Sequence, residues 1–328
     1  MIKRRTFMTI TLAGLALPAT ALSQATQKTF RVGFLSGGGR TPDGAPPAPL
    51  REALRKLGYV EGRNISYEAR FAEGKPERLA GLAAELVALK VDAITVLGGP
   101  AAMAAKRATS SIPIITTVAA GDLVSTGLIA SAARPGGNLT GITDESAPLS
   151  AKRMEILKEA VPKAGSIAIL WNANDDAMTL RSREIEKAAR ILKVEVHAIS
   201  VRNPEDFASA FAEMSRQRPD AIFLVADALT GMNRKEVIEF AAKQRIPAMY
   251  EGSLYVRDGG LLSYGPSPEE TFQRAAAYLD RIFKGAKPAD LPAEYPTRYY
   301  LTVNAKTAEA MGLTIPPVLL LRADDVVK

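Results

Sequence analysis

Residues that could do chemistry stand at the ends of apolar runs. The run Ala93–Leu97 stops at Gly98-Gly99-Pro100-Ala101-Ala102. Two glycines clear space there, and Pro100 fits the first turn of a helix. The amides of Gly99, Ala101 and Ala102 would then stand free at a helix N-terminus, which suits a carboxylate; the plain alternative is an ordinary strand-to-helix turn. Asp227 follows the apolar run Ile222–Ala226, where a buried acid needs a partner. Glu251 follows Ala248–Tyr250 and could hold an amine or sit in a surface turn. Asp122, after Gly121, could bind an ammonium or hydroxyl, or cap a helix starting near Val124. Ser36 and Thr117 offer hydroxyl donors, although Ser36 equally suits local turn chemistry. Trp171 is the only tryptophan and closes Ser166–Leu170. It could stack on a planar ligand or simply pack between strand and helix, and Tyr250 and Tyr264 carry the same two readings.

Other patterns lead nowhere. Gly37-Gly38-Gly39 invites a dinucleotide reading, but the third glycine of G-x-G-x-x-G would fall at Pro42. Pro46, Pro47 and Pro49 then occupy the place of a phosphate-binding helix. His197 is the sole histidine and there is no cysteine, so a Cys/His metal site cannot be built. The G-x-S-x-G elbow of a serine nucleophile is absent. Asp175-Asp176 and Asp324-Asp325 read as surface acid pairs rather than metal ligands. Asn64-Ile65-Ser66 and Asn138-Leu139-Thr140 fit the glycosylation sequon, which a bacterial export leader makes irrelevant. No cofactor is expected.

The elements that must position these residues alternate between β-branched runs and helical patterns, the signature of parallel sheets wrapped by helices. Strands are expected at 30–36, 65–71, 93–97 and 112–118, with helices at 50–57, 77–89 and 100–109. A turn cluster, Arg134-Pro135-Gly136-Gly137-Asn138, and a short extended segment at 139–143 close this first unit. Alternation restarts with helices at 149–160, 179–192, 204–216 and 233–243 and strands at 166–171, 194–200, 221–226 and 248–250. An extended 260–264, a helix at 268–283, a strand at 299–304 and a helix at 305–311 complete the chain. This is an α/β fold of two Rossmann-like lobes, residues 26–142 with 265–290 and residues 143–264 with 291–328. Crossings near 140–145, 262–266 and 288–296 would make a three-strand hinge that lets the lobes close. In such sheets ligands sit at the carboxyl ends of strands, here 36–40, 98–101 and 119–122 in one lobe and 171–175, 226–228 and 250–252 in the other.

Composition bounds the function classes. The chain has 328 residues, enough for two moderate domains. The formal charge of +7 falls to +4 without Lys3, Arg4 and Arg5. Basic residues are scattered and interleaved with acids on amphipathic segments such as 51–56 and 181–190, the pattern of solvated helix faces. That argues against a nucleic-acid partner. No cysteine means no disulfide and no lipid-anchored leader. Residues 1–25 read as a signal peptide: a basic head, the apolar run Phe7–Leu17, and Ala21-Leu22-Ser23 before cleavage after Ser23 or Ala25. The run is too short to span a bilayer, which takes roughly 20 apolar residues. Arg4-Arg5-Thr6-Phe7-Met8 is also similar to a twin-arginine export signal, with Lys3 where Ser or Thr is usual. The expected location is the periplasm.

One longer pattern adds a family. Leu57-Gly58-Tyr59-Val60-Glu61-Gly62-Arg63-Asn64 resembles the L-G-Y-x-E-G-x-N turn of one branch of ABC transporter substrate-binding proteins, the branch with tryptophan- and tyrosine-binding members. Residues 104–114, 133–141, Ser263-Tyr264-Gly265-Pro266 and the C-terminal 306–317 are similar to the same family, in order along the chain. The resemblance implies a type I periplasmic-binding-protein fold and places the Gly98–Ala102 turn at the mouth of the cleft. It also implies a second-lobe acid that anchors an amino group, for which Asp227 is the preferred residue and Glu251 the alternative. Gly121-Asp122 is similar to the family's G-D-P strand end, with Leu123 replacing the proline. The implied function is a monomeric, non-enzymatic binding protein that captures a small molecule for an ABC permease of the inner membrane, with an amino acid, aromatic members included, as the implied ligand class. The rivals are an exported sensor for a membrane receptor and an exported hydrolase or lyase on the same scaffold.

Overall fold

The computed structural model describes residues 28–117, 121–143 and 146–328. The expected leader, its cleavage positions, Val118 of the expected 112–118 strand, Ala119 and Ala120 of the 119–122 strand end, and Asp144 and Glu145 of the 140–145 crossing lie outside the described residues. The chain opens with β1 (Phe30–Ser36), α1 (Ala48–Lys56), β2 (Ile65–Phe71), α2 (Leu79–Ala88), β3 (Ala93–Leu97), α3 (Gly99–Ala108), β4 (Ile114–Thr116) and β5 (Leu139–Gly141). It continues with α4 (Ser146–Ala160), β6 (Ser166–Asn172), α5 (Asp176–Ile191), β7 (Glu195–Val201), α6 (Asp206–Gln217) and β8 (Ala221–Leu224). Then come α7 (Ala228–Met232), α8 (Arg234–Gln244), β9 (Ala248–Tyr250), α9 (Ser253–Arg257) and β10 (Leu262–Pro266). The last elements are α10 (Pro268–Phe283), β11 (Tyr299–Asn304), α11 (Ala305–Met311), α12 (Pro317–Arg322) and β12 (Asp325–Val327).

Two sheets result. The first, in the order β2-β1-β3-β4-β5, is entirely parallel. The second runs β12-β11-β10-β9-β8-β6-β7, parallel except where β11 pairs antiparallel with β10. Parallel strands are apolar on both faces and need helices on both. In the first lobe, Leu50 and Leu54 of α1 join Phe272, Ala276 and Leu279 of α10 on one face, and Ala83, Leu86, Ala101 and Ala105 of α2 and α3 cover the other. In the second lobe, Met154, Leu157, Ile185 and Ala189 of α4 and α5 cover one face, and Phe207, Met214, Val237 and Ala241 of α6 and α8 the other. Among the described residues no helix is long and apolar enough to cross a membrane.

Helix α10 follows a strand of the second sheet yet packs on the first, so the chain passes back and forth between lobes. Two of the connecting segments run side by side. The amide of Glu294 donates to the carbonyl of Gly141 at 2.9 Å, that of Thr143 to the carbonyl of Glu294 at 3.0 Å, and the Thr140 hydroxyl to the carbonyl of Leu291 at 2.7 Å. Gly141 is required in this ribbon. Its φ is +128°, and a Cβ there would lie 2.5 Å from the carbonyl oxygen of Thr116.

Candidate functional site

The carboxyl ends of the two sets of parallel strands face each other, and a cavity of about 290 Å³ lies between them. The first lobe lines it with Leu97 at the end of β3, Thr117 after β4, and Ile142 and Thr143 after β5. The second lobe contributes Arg153 of α4, Arg181 of α5, Asp227 after β8, and the Glu251–Tyr255 segment after β9. Pro266, Pro268 and Pro296 complete the lining. The lining is mostly apolar, with its charges gathered on the second lobe.

Those charges form a buried cluster. Glu251 is 7% exposed, Arg153 3% and Arg181 4%. One Glu251 oxygen accepts from Arg153 Nη1 at 2.8 Å, and the other accepts from Arg181 Nη1 at 2.6 Å and from the amide of Ala226 at 3.2 Å. Arg153 Nε donates to the carbonyl of Tyr264 at 2.7 Å. Burial pushes the Glu251 carboxyl up, but the guanidiniums of Arg153 and Arg181 and the Ala226 amide outweigh it and hold the acid below its usual range. The carboxylate thus ties α4, α5 and the ends of β8 and β9 into one rigid wall.

Asp227 is half-buried beside this wall. It caps α7: one oxygen accepts from the Thr230 amide at 2.8 Å while the Thr230 hydroxyl accepts from the Asp227 amide at 2.9 Å. Its other oxygen accepts from Asn172 Nδ2 at 2.6 Å. Asp227 borders both the main cavity and a smaller gap of about 40 Å³. Asp175 borders that gap too, caps α5 through the amides of Ala177 and Met178, and is 5% exposed. Burial, with the charge of Asp227 nearby, pushes its carboxyl up to about 6. The expectation that Asp175-Asp176 forms a surface pair is therefore corrected for Asp175, and holds for Asp176, which is exposed.

The other sequence candidates distribute unevenly. Thr117 lines the cavity, 1% exposed, with its hydroxyl donating to the carbonyl of Val96 at 2.8 Å. Gly99 and Ala101 do not reach this cavity: Gly99 borders a larger groove of about 660 Å³ and Ala101 the small gap. Ala102 has no free amide, because it donates to the carbonyl of Gly98 at 3.1 Å as the first bond of α3. Neither reading of Asp122 stands as expected: no helix starts near Val124, where residues 123–127 form a turn, and one Asp122 oxygen holds that turn by accepting from the amides of Val124 and Ser125 at 2.8 and 3.2 Å. Ser36 likewise makes a local turn, accepting from the Gly38 amide at 3.0 Å.

The aromatic candidates pack instead of lining the cavity. Trp171 lies against the α4/α5 core. Tyr250 is fully buried and stacks on Tyr255 with ring centres 5.2 Å apart. Tyr264 leans on Tyr299 and offers only its carbonyl to Arg153. The aromatic ring at the cavity is Tyr255, which the sequence reading passed over along with Arg153 and Arg181. Arg181 belongs to a segment read as a solvated helix face, yet it is buried because Glu251, 70 residues away, meets it.

A family model described as ABC transporter substrate binding protein matches residues 48–327. The chain belongs to this family. This substrate-binding protein is 28% identical over 265 residues to the tyrosine-binding protein of Clostridioides difficile (strain R20291), a match covering 80% of this chain and 75% of the relative. Among solved structures, a conserved domain protein from Vibrio cholerae O1 biovar El Tor is 25% identical with a TM-score of 0.85, covering 91% of this chain and all of the other. A Streptococcus pneumonia structure in complex with L-Trp is 24% identical with a TM-score of 0.81, covering 90% and 100%. The two α/β sheets therefore form a type I periplasmic-binding fold, as the resemblance implied.

Proposed function

We propose that this protein captures an aromatic amino acid between its lobes, without chemistry, in the periplasm and as a monomer, and hands it to an ABC permease of the inner membrane. The observation that carries this reading is the mostly apolar cavity of about 290 Å³ whose charged groups converge on one wall. An amino acid has the matching shape, a zwitterionic head and an apolar side chain. The head lies against Asp227, which takes the amine, and against the Glu251–Arg153–Arg181 cluster. The side chain lies along Leu97, Ile142, Leu149 and the prolines. Desolvation on closing strengthens the charge-assisted contacts. The relative named for tyrosine binding supports the aromatic class. The expected carboxylate site at the start of α3 is set aside, because that helix end faces the small gap rather than the main cavity.

The hinge is proposed at the three crossings, residues 140–145, 262–266 and 288–296, with lobe boundaries as the alternation of elements suggests. A thermal-shift screen of the purified protein against the twenty amino acids tests the ligand class. A ligand that binds only the folded state raises the melting temperature by an amount that grows with its concentration over Kd. Tyrosine and tryptophan are expected to give the largest shifts. Shifts confined to amine-free acids or sugars would remove the role of Asp227.

A further inference from the structure

Three loops of the first lobe carry a glycine where they meet the second. A Cβ built on Gly37, after β1, would lie 3.2 Å from the Cβ of Ala228 at the start of α7. On Gly74, after β2, it would lie 3.2 Å from Sδ of Met232, and on Gly121 it would lie 3.0 Å from the Cβ of Ala177. Beyond the flanking residues, every described atom within 4 Å of these three positions belongs to Ala228, Met232 or Ala177 of the opposite lobe. None of the six residues lines the main cavity.

Gly37 is the most telling of the three. Gly74 and Gly121 have φ of +76° and +75°, so their backbones already favour glycine. Gly37 is not in that region, and what a side chain there would meet is Ala228. Neither side can easily give way. The amide of Gly74 donates to the carbonyl of Gly37 at 2.9 Å and that of Glu73 to the carbonyl of Gly38 at 3.0 Å, which joins two of the loops into one piece. Across the gap, the Asp227–Thr230 capping box fixes the start of α7.

We propose that this glycine seam is a size gate on lobe closure: the absence of side chains at Gly37, Gly74 and Gly121 sets how far the lobes close. Through closure it sets affinity at a cavity that none of these residues touches, and this second clause rests on the ligand reading above. Bulk at the seam props the lips apart and leaves the cavity wet, so charge-assisted contacts to the ligand stay weak.

The test uses the absence of native cysteine. Glu77→Cys and Lys235→Cys, both at exposed positions on opposite lobes, carry spin labels whose separation is measured by pulsed electron resonance, with and without L-tryptophan. Gly37→Val is expected to lengthen the label separation, and Ala228→Leu, which adds bulk from the other side, to do the same. Adding Ala228→Gly to Gly37→Val should restore the original separation. The Kd for L-tryptophan should rise about tenfold in Gly37→Val and recover in the double variant, the range that overpacking costs imply. An unchanged separation in both Gly37→Val and Ala228→Leu, each shown to be folded by circular dichroism, overturns the seam. So does a lengthened separation that Ala228→Gly fails to reverse. Lengthening with reversal in a protein that binds neither L-tryptophan nor L-tyrosine supports the seam and removes the ligand assignment instead.

Discussion

At the scale of the residue, the account rests on Glu251 and Asp227, two acids with different tasks. Glu251 is shared by two buried guanidiniums, and removing a buried carboxylate from such a cluster costs on the order of 3 kcal/mol. Glu251→Gln should lower the urea midpoint accordingly; a midpoint unchanged from wild type would mean that the cluster contributes little. Because the Glu251 carboxyl is held below its usual range, its contribution is intact at neutral pH and is lost only as pH falls below the ordinary glutamate range. Asp227→Asn keeps a side chain able to cap α7, since asparagine caps about as well as aspartate. It should therefore leave the melting temperature nearly unchanged while raising the Kd for L-tyrosine about tenfold or more, the worth of one charge-assisted contact. An unchanged Kd would make Asp227 a capping residue only. Asp227 was legible because an acid ending an apolar strand must find partners. Arg153 and Arg181 were not, since an arginine in an amphipathic helix looks solvated until the residue that buries it is known.

At the scale of the element, strands marked by apolar runs or by alternation match the expectation: 30–36, 65–71, 93–97, 248–250 and 299–304 all stand as expected. The elements missed are α7, α9, α12 and β12, of three to six residues each. Pieces this short show no period that could separate helix from turn. Within the described part of the expected strand at 112–118, which excludes Val118, the strand is β4, Ile114–Thr116, and the helix start at 179 moves back to Asp176 because Asp175 caps it. That cap carries its own pH signature. The Asp175 carboxyl stands at about 6 against an ordinary 3.8. Between those values the folded protein holds a proton that the unfolded chain has released, so stability falls as pH rises from about 4 to about 6, by on the order of 3 kcal/mol in total. Asp175→Asn should flatten that segment of the stability–pH curve measured by urea unfolding. A curve with the same slope as wild type would contradict the burial of this acid.

At the scale of the whole molecule, the two-sheet plan was legible from the restart of strand–helix alternation after the 134–138 turn cluster, and the cleft from the rule that ligands sit at strand ends. Which strand ends form the main cavity was not. That depends on how the lobes face each other, which brings α3 opposite Asp175 and Asp227 and leaves the cavity to the ends of β3, β4, β5, β8 and β9. A hinged pair of lobes should also become more compact on binding, and small-angle scattering with saturating L-tyrosine should show a smaller radius of gyration; an unchanged radius would argue against hinge closure. The most direct test of the central claim is titration calorimetry of L-tyrosine and L-tryptophan into the purified protein. The account predicts saturable binding at one ligand per chain for at least one of them, with a negative heat-capacity change from burying the ring. No binding of either amino acid at millimolar concentration would contradict it.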